Sequence, residues 1–248
     1  ALAGVLCGTH AVTAGRVRLG DGPMPEAPAA RVRAGVARVP EDRQGTALVG
    51  DLPLWENAVS ERLSSPAFSR RALGLRWIRR RAARAQAARI VAAFDVRGGG
   101  LDAPVRALSG GNMQKLVLGR ALLAPAADAH GEGGEGGEGH EGGKGDKADA
   151  AAPPRLIVAH QPTWGLDVGA VAAVQRQLIA ARDAGAAVLV ISDDLDEVEA
   201  LGDRIAVMHD GRLGEARPGS AWTRASIGLA MAGADGPAEP PRAAPAAA

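Results

Sequence analysis

The chain has 248 residues and a formal charge of +1, which suits one large domain or two small ones on a prior of roughly 100–200 residues per domain. Its 46% hydrophobic and 2% aromatic content predicts a core of Ala, Val, Leu and Ile. Cys7 is the only cysteine, so a disulfide scaffold is excluded, and the best apolar runs, such as 186–191, fall far short of the roughly 18 residues a membrane span needs. No signal-peptide pattern is visible, and the start at Ala1 without Met reads as a cytosolic fragment or truncated product.

In chain order, residues 35–39 (GVARV) form the first predicted strand. The stretch 55–104 lacks strong strand signals and reads as a helical insertion. Within it, 79–94 is an Ala/Arg-rich helix with Ile90, Val91 and Phe94 as its apolar edge. Residues 62–94 hold nine arginines and no acid. Such a bias suits nucleic acid or anionic lipid, but without interleaved aromatic residues a solvated helix face is the favoured reading.

A helix over 112–123 places Met113, Leu116, Val117 and Leu123 on one face. Residues 131–145 are a near-repeat of Gly-Glu-Gly, too apolar-poor to repay the entropy of ordering, and disorder is expected there. His130 and His140 sit among its carboxylates without the fixed spacing of a four-ligand metal site. Strands over 155–159 and 187–191 are continuously apolar, the pattern of parallel strands covered on both faces. A helix over 168–185 lies between them, stopped by Gly185, with Val171, Val174, Leu178 and Ile179 on one stripe. A strand over 204–208 then meets the turn signal His209-Asp210-Gly211-Arg212, which predicts a hairpin. Residues 237–248 read as a Pro/Ala-rich tail. Strands alternating with helices predict an α/β parallel sheet.

Chemistry concentrates in a few motifs. In Leu108-Ser109-Gly110-Gly111-Asn112, two glycines let backbone approach a ligand closely, and the free N–H groups of the following helix favour an anion. A serine cap on an ordinary helix explains the pentapeptide equally well. Further on, an apolar strand runs into His160-Gln161-Pro162-Thr163-Trp164-Gly165-Leu166-Asp167, and a second ends in Ser192-Asp193-Asp194-Leu195-Asp196-Glu197.

This order resembles the ATP-binding cassette family: signature loop, Walker B strand, D-loop, switch loop. The finer resemblance is to the second nucleotide-binding domain of tandem ATPase subunits in simple-sugar and nucleoside importers. Residues 108–115 (LSGGNMQK) are similar to the signature LSGGNQQK, 40–43 to PEDR, 161–170 to QPTRGLDVGA, 192–197 to SEDLDE, and 230–233 to LMAG. The resemblance implies an ABC-type P-loop ATPase core with a helical subdomain. It divides the chain into partial core (1–54), helical subdomain (55–107), signature loop and helix (108–127), disordered insert (128–153), the rest of the core (154–233) and a flexible tail (234–248).

Several positions depart from the family pattern. No GxxxxGKS/T run occurs, and 1–4 resembles the segment just past one, so the chain is read as starting beyond its P-loop. The Walker B acid that helps hold Mg²⁺ falls on His160, the water-polarising Glu on Gln161 and the switch His on Asp193. Met113 and Trp164 stand where polar residues or Arg are usual.

The implied own-face site is degenerate, with no metal ligand. The signature residues Leu108, Ser109, Gly110, Gly111, Asn112 and Gln114 look intact for closing over ATP and Mg²⁺ held by a partner cassette. The resemblance further implies a D-loop of Gly165, Leu166 and Asp167 at the dimer seam, and nucleotide sensing and permease coupling by Glu41, Asp42 and Arg43. The implied partners are a second nucleotide-binding domain, two membrane-spanning permease subunits and an extracytoplasmic solute-binding protein, at the cytoplasmic membrane face. No nucleic acid is expected. A non-catalytic dimerisation or permease-docking module is the alternative, and a nucleic-acid-binding cassette protein a more distant one.

Overall fold

The computed structural model describes residues 1–72, 74–125 and 154–234. The insert expected at 128–153, with His130 and His140, and the tail at 237–248 lie outside the described residues. The chain divides into two units, Ala1–Ile191 and Ser192–Ala248.

The first unit runs α1 (Leu2–Cys7), β1 (Arg18–Leu19), β2 (Gly22–Pro23), α2 (Pro28–Arg33), β3 (Val36–Val39), α3 (Leu54–Val59), β4 (Ser69–Ala72), β5 (Leu75–Ile78), α4 (Arg80–Phe94), α5 (Gly110–Leu122), β6 (Leu156–His160), α6 (Val168–Asp183) and β7 (Ala187–Ile191). Strands β3, β6 and β7 form a parallel sheet with β6 in the middle, Val36 opposite Leu156 and Ala159 opposite Val190. Ile157, Val158 and Ala159 are fully buried, which is why this strand reads as a continuous apolar run. Strand β7 is half-buried and pairs along one edge only among the described residues.

Helix α5 is central to the unit. Ser109 caps it, and it packs against α3, α4, α6 and β3. Burial therefore extends around it rather than along the single expected face: Met113, Leu116, Val117 and Leu118 are buried, and so are Gln114 and Arg120, while Leu123 falls at the C-cap, outside the helix. Helix α4 buries Ala83, Gln86, Ala87 and Ile90. The apolar edge expected at Ile90, Val91 and Phe94 is thus rotated, because small alanines form the contact face and leave Val91 and Phe94 half-buried. Gly119 permits the close crossing of α4 and α5. A Cβ there would overlap Ile90 Cγ2 and come 3.0 Å from Phe94 Cδ2.

The segment expected to be helical throughout contains an antiparallel hairpin, β4–β5, with Arg70 opposite Trp77 and Arg71 opposite Arg76. Gly74, at φ +73, supplies the left-handed turn residue. All four residues of β5 are exposed, so the strand buries no face and its apolar residues are too few to announce one.

Beneath α3, Arg120 is 3% exposed. Its guanidinium donates to the Ala47 carbonyl (2.8 Å), Ser60 Oγ (3.1 Å) and Glu61 Oε1 (3.1 Å). The same Glu61 oxygen accepts from Arg38 Nε at 2.8 Å. Burial lowers the Arg120 pKa and the Glu61 charge opposes that shift.

The second unit contains α7 (Leu195–Leu201), β8 (Arg204–Ile205), β9 (Met208–His209), β10 (Arg212–Leu213), β11 (Arg217–Pro218) and α8 (Arg224–Met231). The hairpin expected after Met208 is present as β9–β10. The single strand expected over 204–208 is instead two, because Ile205 pairs with Arg217 whereas Met208 pairs with Leu213. Trp222 Nε1 donates to the Ile205 carbonyl at 3.1 Å, and Thr223 and Ser226 form a reciprocal cap on α8. Among the described residues no helix is long and apolar enough to cross a membrane.

Candidate functional site

Ser109 sits at the cap of a 13-residue helix with its hydroxyl accepting from Asn112 Nδ2 at 2.9 Å and from the Asn112 backbone N–H at 3.4 Å. Leu108 is buried and anchors the turn, while Ser109 and Gly110 are exposed. A Cβ on Gly110 would meet only Arg43 Nη1 at 3.5 Å, and one on Gly111 only Leu166 Cδ2 at 3.9 Å. Both are ordinary contacts, and neither glycine has a positive φ. Nothing among the described residues demands glycine at either place. Small residues there keep the helix N-terminus open to an approaching anion.

The turn preceding α6 lies beside this one. Gln114 is buried and its side-chain N–H donates to the Pro162 carbonyl. Gly165 adopts φ +67, and Asp167 caps α6 by accepting from the Ala170 N–H at 3.0 Å. Trp164 and Val168 are exposed to 67% and 87%. A cavity of about 570 Å³ opens between the two turns, lined by Ser109, Gly111, Asn112, Lys115, Leu166 and Asp167 among others.

Arg43 joins the two turns. Its guanidinium donates to the Gly110 carbonyl at 3.3 Å and to the Trp164 carbonyl. Partial burial lowers its pKa, but an arginine stays protonated at neutral pH. Asp42 acts locally. Its carboxylate accepts from the N–H groups of Gln44 (3.1 Å) and Gly45 (2.8 Å) and caps the turn Arg43–Ala47. Glu41 reaches the end of β6, with Oε2 at 3.4 Å from His160 Nδ1.

Gln161 follows at φ +49, its N–H donating to the Ile191 carbonyl at 2.8 Å. The end of β6 therefore offers an imidazole, one carboxylate and an amide. Mg²⁺ prefers octahedral oxygen donors, and this set does not fit it. No group of three His, Cys, Asp or Glu that could hold a metal occurs among the described residues. Asp193 belongs to the second unit, exposed in the turn before α7, where Asp194 caps the helix.

Two contributors escape sequence reasoning. The Arg97 N–H donates to Asn112 Oδ1 at 2.7 Å, and Asp95 accepts from Arg97 Nε (3.1 Å) and Lys115 Nζ (3.3 Å). Only folding brings these residues together, and no spacing announces them. The Arg97 and Lys115 hydrogen bonds hold the Asp95 carboxyl below the usual carboxylate range. A carboxyl with a depressed folded-state pKa stabilises the fold above its unfolded pKa and loses that effect as pH falls through the folded value. Asp95→Asn should therefore lower the unfolding temperature at pH 7 and narrow its gap to wild type below about pH 4. Thermal melts across that range measure it, and a gap constant with pH contradicts it.

A parallel sheet carrying a glycine-bearing helix N-terminus beside a capped turn is the arrangement of the ATP-binding cassette fold. The structure matches the dimeric, post-hydrolysis cassette MJ0796 bound to ADP and Pi with a TM-score of 0.60, covering 88% of this chain and 78% of that one at 19% identity. In sequence the chain is 34% identical over 200 residues to the guanosine import ATP-binding protein NupO of Bacillus subtilis (strain 168), covering 81% of this chain and 33% of that protein. It is also 34% identical over 237 residues to the glucose import ATP-binding protein TsgD13 of Haloferax volcanii, covering 94% and 37%. The chain thus spans about a third of the length of these relatives. No protein-family model matches it.

Proposed function

We propose that this chain is an energy-coupling nucleotide-binding domain of an importer for nucleosides or simple sugars, and that it lends its signature loop to ATP held by a second cassette. The observation that carries this reading is the pair Gly110–Gly111 at a helix N-terminus, the first exposed and the second half-buried, where an added Cβ would meet only ordinary contacts. Backbone N–H groups of the first turn of α5 and the Ser109 hydroxyl would hold the terminal phosphate, Asp167 would flank it across the seam, and Arg43 would keep the two turns in register. The bound Mg-ATP supplies the scissile phosphoryl group, and these residues supply electrostatic complementarity at a composite site. The names of the relatives support the solute class, a nucleoside or a simple sugar. Two permease subunits, a solute-binding protein and a cytoplasmic membrane-face location follow from the same reading.

The chain's own face is proposed to be non-hydrolytic. His160 and Gln161 stand where the family pattern has two carboxylates, and His160 Nδ1 lies 3.4 Å from Glu41 Oε2. That contact also favours a second reading, a docking module that never turns over ATP.

Gly111→Ala separates the two. Alanine gains up to about 1 kcal/mol in helix propensity and meets only an ordinary contact, so folding stability should hold or rise. ATP hydrolysis by the intact subunit with its permease should fall by roughly a hundredfold or more, as for loss of one electrostatic donor. Wild-type hydrolysis by the stably folded variant would reject the composite site and leave the docking module.

A further inference from the structure

The β4–β5 hairpin has no role in the site just described. Strand β5 is exposed along its whole length, with Leu75 at 61%, Trp77 at 54% and Ile78 at 46%. Three arginines accompany them. Arg70 lies opposite Trp77 and Arg71 opposite Arg76, and all three arginines are exposed. None of the three makes an ion pair among the described residues, and like charges directly opposite each other destabilise a strand pair. The surrounding run 62–94 contains no acid to relieve them. Among the described residues no acid pairs with these arginines and nothing covers the apolar side chains beside them.

We propose that this hairpin is a docking surface for an anionic lipid bilayer. Headgroup phosphates would complete Arg70, Arg71 and Arg76. The interfacial layer would take Leu75 and Trp77, which share one face of the hairpin with Arg70, tryptophan being enriched at that depth because its ring is apolar and its N–H polar. A nucleic acid would satisfy the arginines but gives Leu75 no apolar layer to enter. A second copy laid edge to edge would set one arginine row against another. An anionic bilayer meets both requirements. Membrane docking here is independent of the ATP reading, because among the described residues no hydrogen bond or ion pair joins the hairpin to the signature turn or the end of β6.

The test is flotation of the full 248-residue chain with vesicles of phosphatidylglycerol and phosphatidylcholine, against phosphatidylcholine alone. Binding should require the anionic lipid and weaken as salt rises from about 0.1 M to about 0.5 M, where charge interactions are screened. The triple variant Arg70→Gln, Arg71→Gln, Arg76→Gln should bind roughly a hundredfold more weakly, at about fivefold per arginine. It should melt as wild type, since all three side chains are exposed. Brominated lipid should quench wild-type fluorescence, and Trp77→Phe should remove most of that quenching. Vesicle binding unchanged in the triple variant overturns the proposal. So does tighter binding to a single-stranded oligonucleotide than to vesicles, or hairpin-dependent dimerisation without vesicle binding. ATP hydrolysis should be the same in the triple variant and wild type, so failure here leaves the composite-site reading intact.

Discussion

Ser109→Arg should abolish ATP hydrolysis in the intact, assembled subunit while leaving the fold in place. Ser109 is exposed, so a longer side chain meets no packing barrier. What is lost structurally is one helix cap, about 1 kcal/mol. What is lost functionally is larger. On the proposed composite-site reading, a guanidinium on a long stem would fill the space through which a phosphate approaches Gly110 and Gly111, and would block closure of the second cassette. Removal of a single transition-state donor commonly costs roughly 10²–10³ in rate, and steric exclusion of the whole phosphate exceeds that. Steady-state hydrolysis and thermal melts on the same preparation separate the two effects. Hydrolysis above a tenth of wild type, in a variant that melts within a few degrees of it, would remove Ser109 from the site.

Glu61→Leu should be the most destabilising single substitution at a polar position of the first unit. Glu61 receives Arg120 and Arg38 on one carboxylate oxygen, and Arg120 is buried with its Nε already lacking a partner. Deleting the carboxylate strands a buried positive charge. Breaking a buried ion pair from one side costs about 3–5 kcal/mol, whereas replacing both partners by apolar groups is often neutral. The double variant Glu61→Leu, Arg120→Met should therefore regain much of what the single one loses. Urea unfolding of both variants measures this difference. A loss below about 1 kcal/mol for Glu61→Leu would mean that water reaches Arg120 and screens it.

The parts of this molecule legible in sequence are those whose cause is local. Strand β7 lies at 187–191 as its apolar run predicts, and the cap at Ser109 follows from the side chain that begins its helix. The β4–β5 hairpin is hidden because periodicity reports burial, and β5 is buried on neither face. The links made by Arg43 and Arg120 are hidden for the opposite reason. Arginine is ordinarily a surface residue, and their partners stand as far as 121 and 73 residues away. In the candidate site the order of motifs leads to two turns that the fold sets side by side. It could not show that Asp42 caps a turn, that Arg43 ties two loops, or that His160 faces Glu41.

The one-sided pairing of β7 has a consequence for how the sheet breathes. In a parallel ladder alternate residues turn their amides to alternate neighbours. Ala187 N–H donates to the Arg155 carbonyl and Ile191 C=O accepts from Gln161, so these residues look inward to β6. Val188 and Val190 then point their amides outward, where no strand is paired among the described residues. Deuterium should enter those two valines first while Leu189 between them stays slow, an alternating exchange pattern along the strand that would vanish once another strand was laid against it.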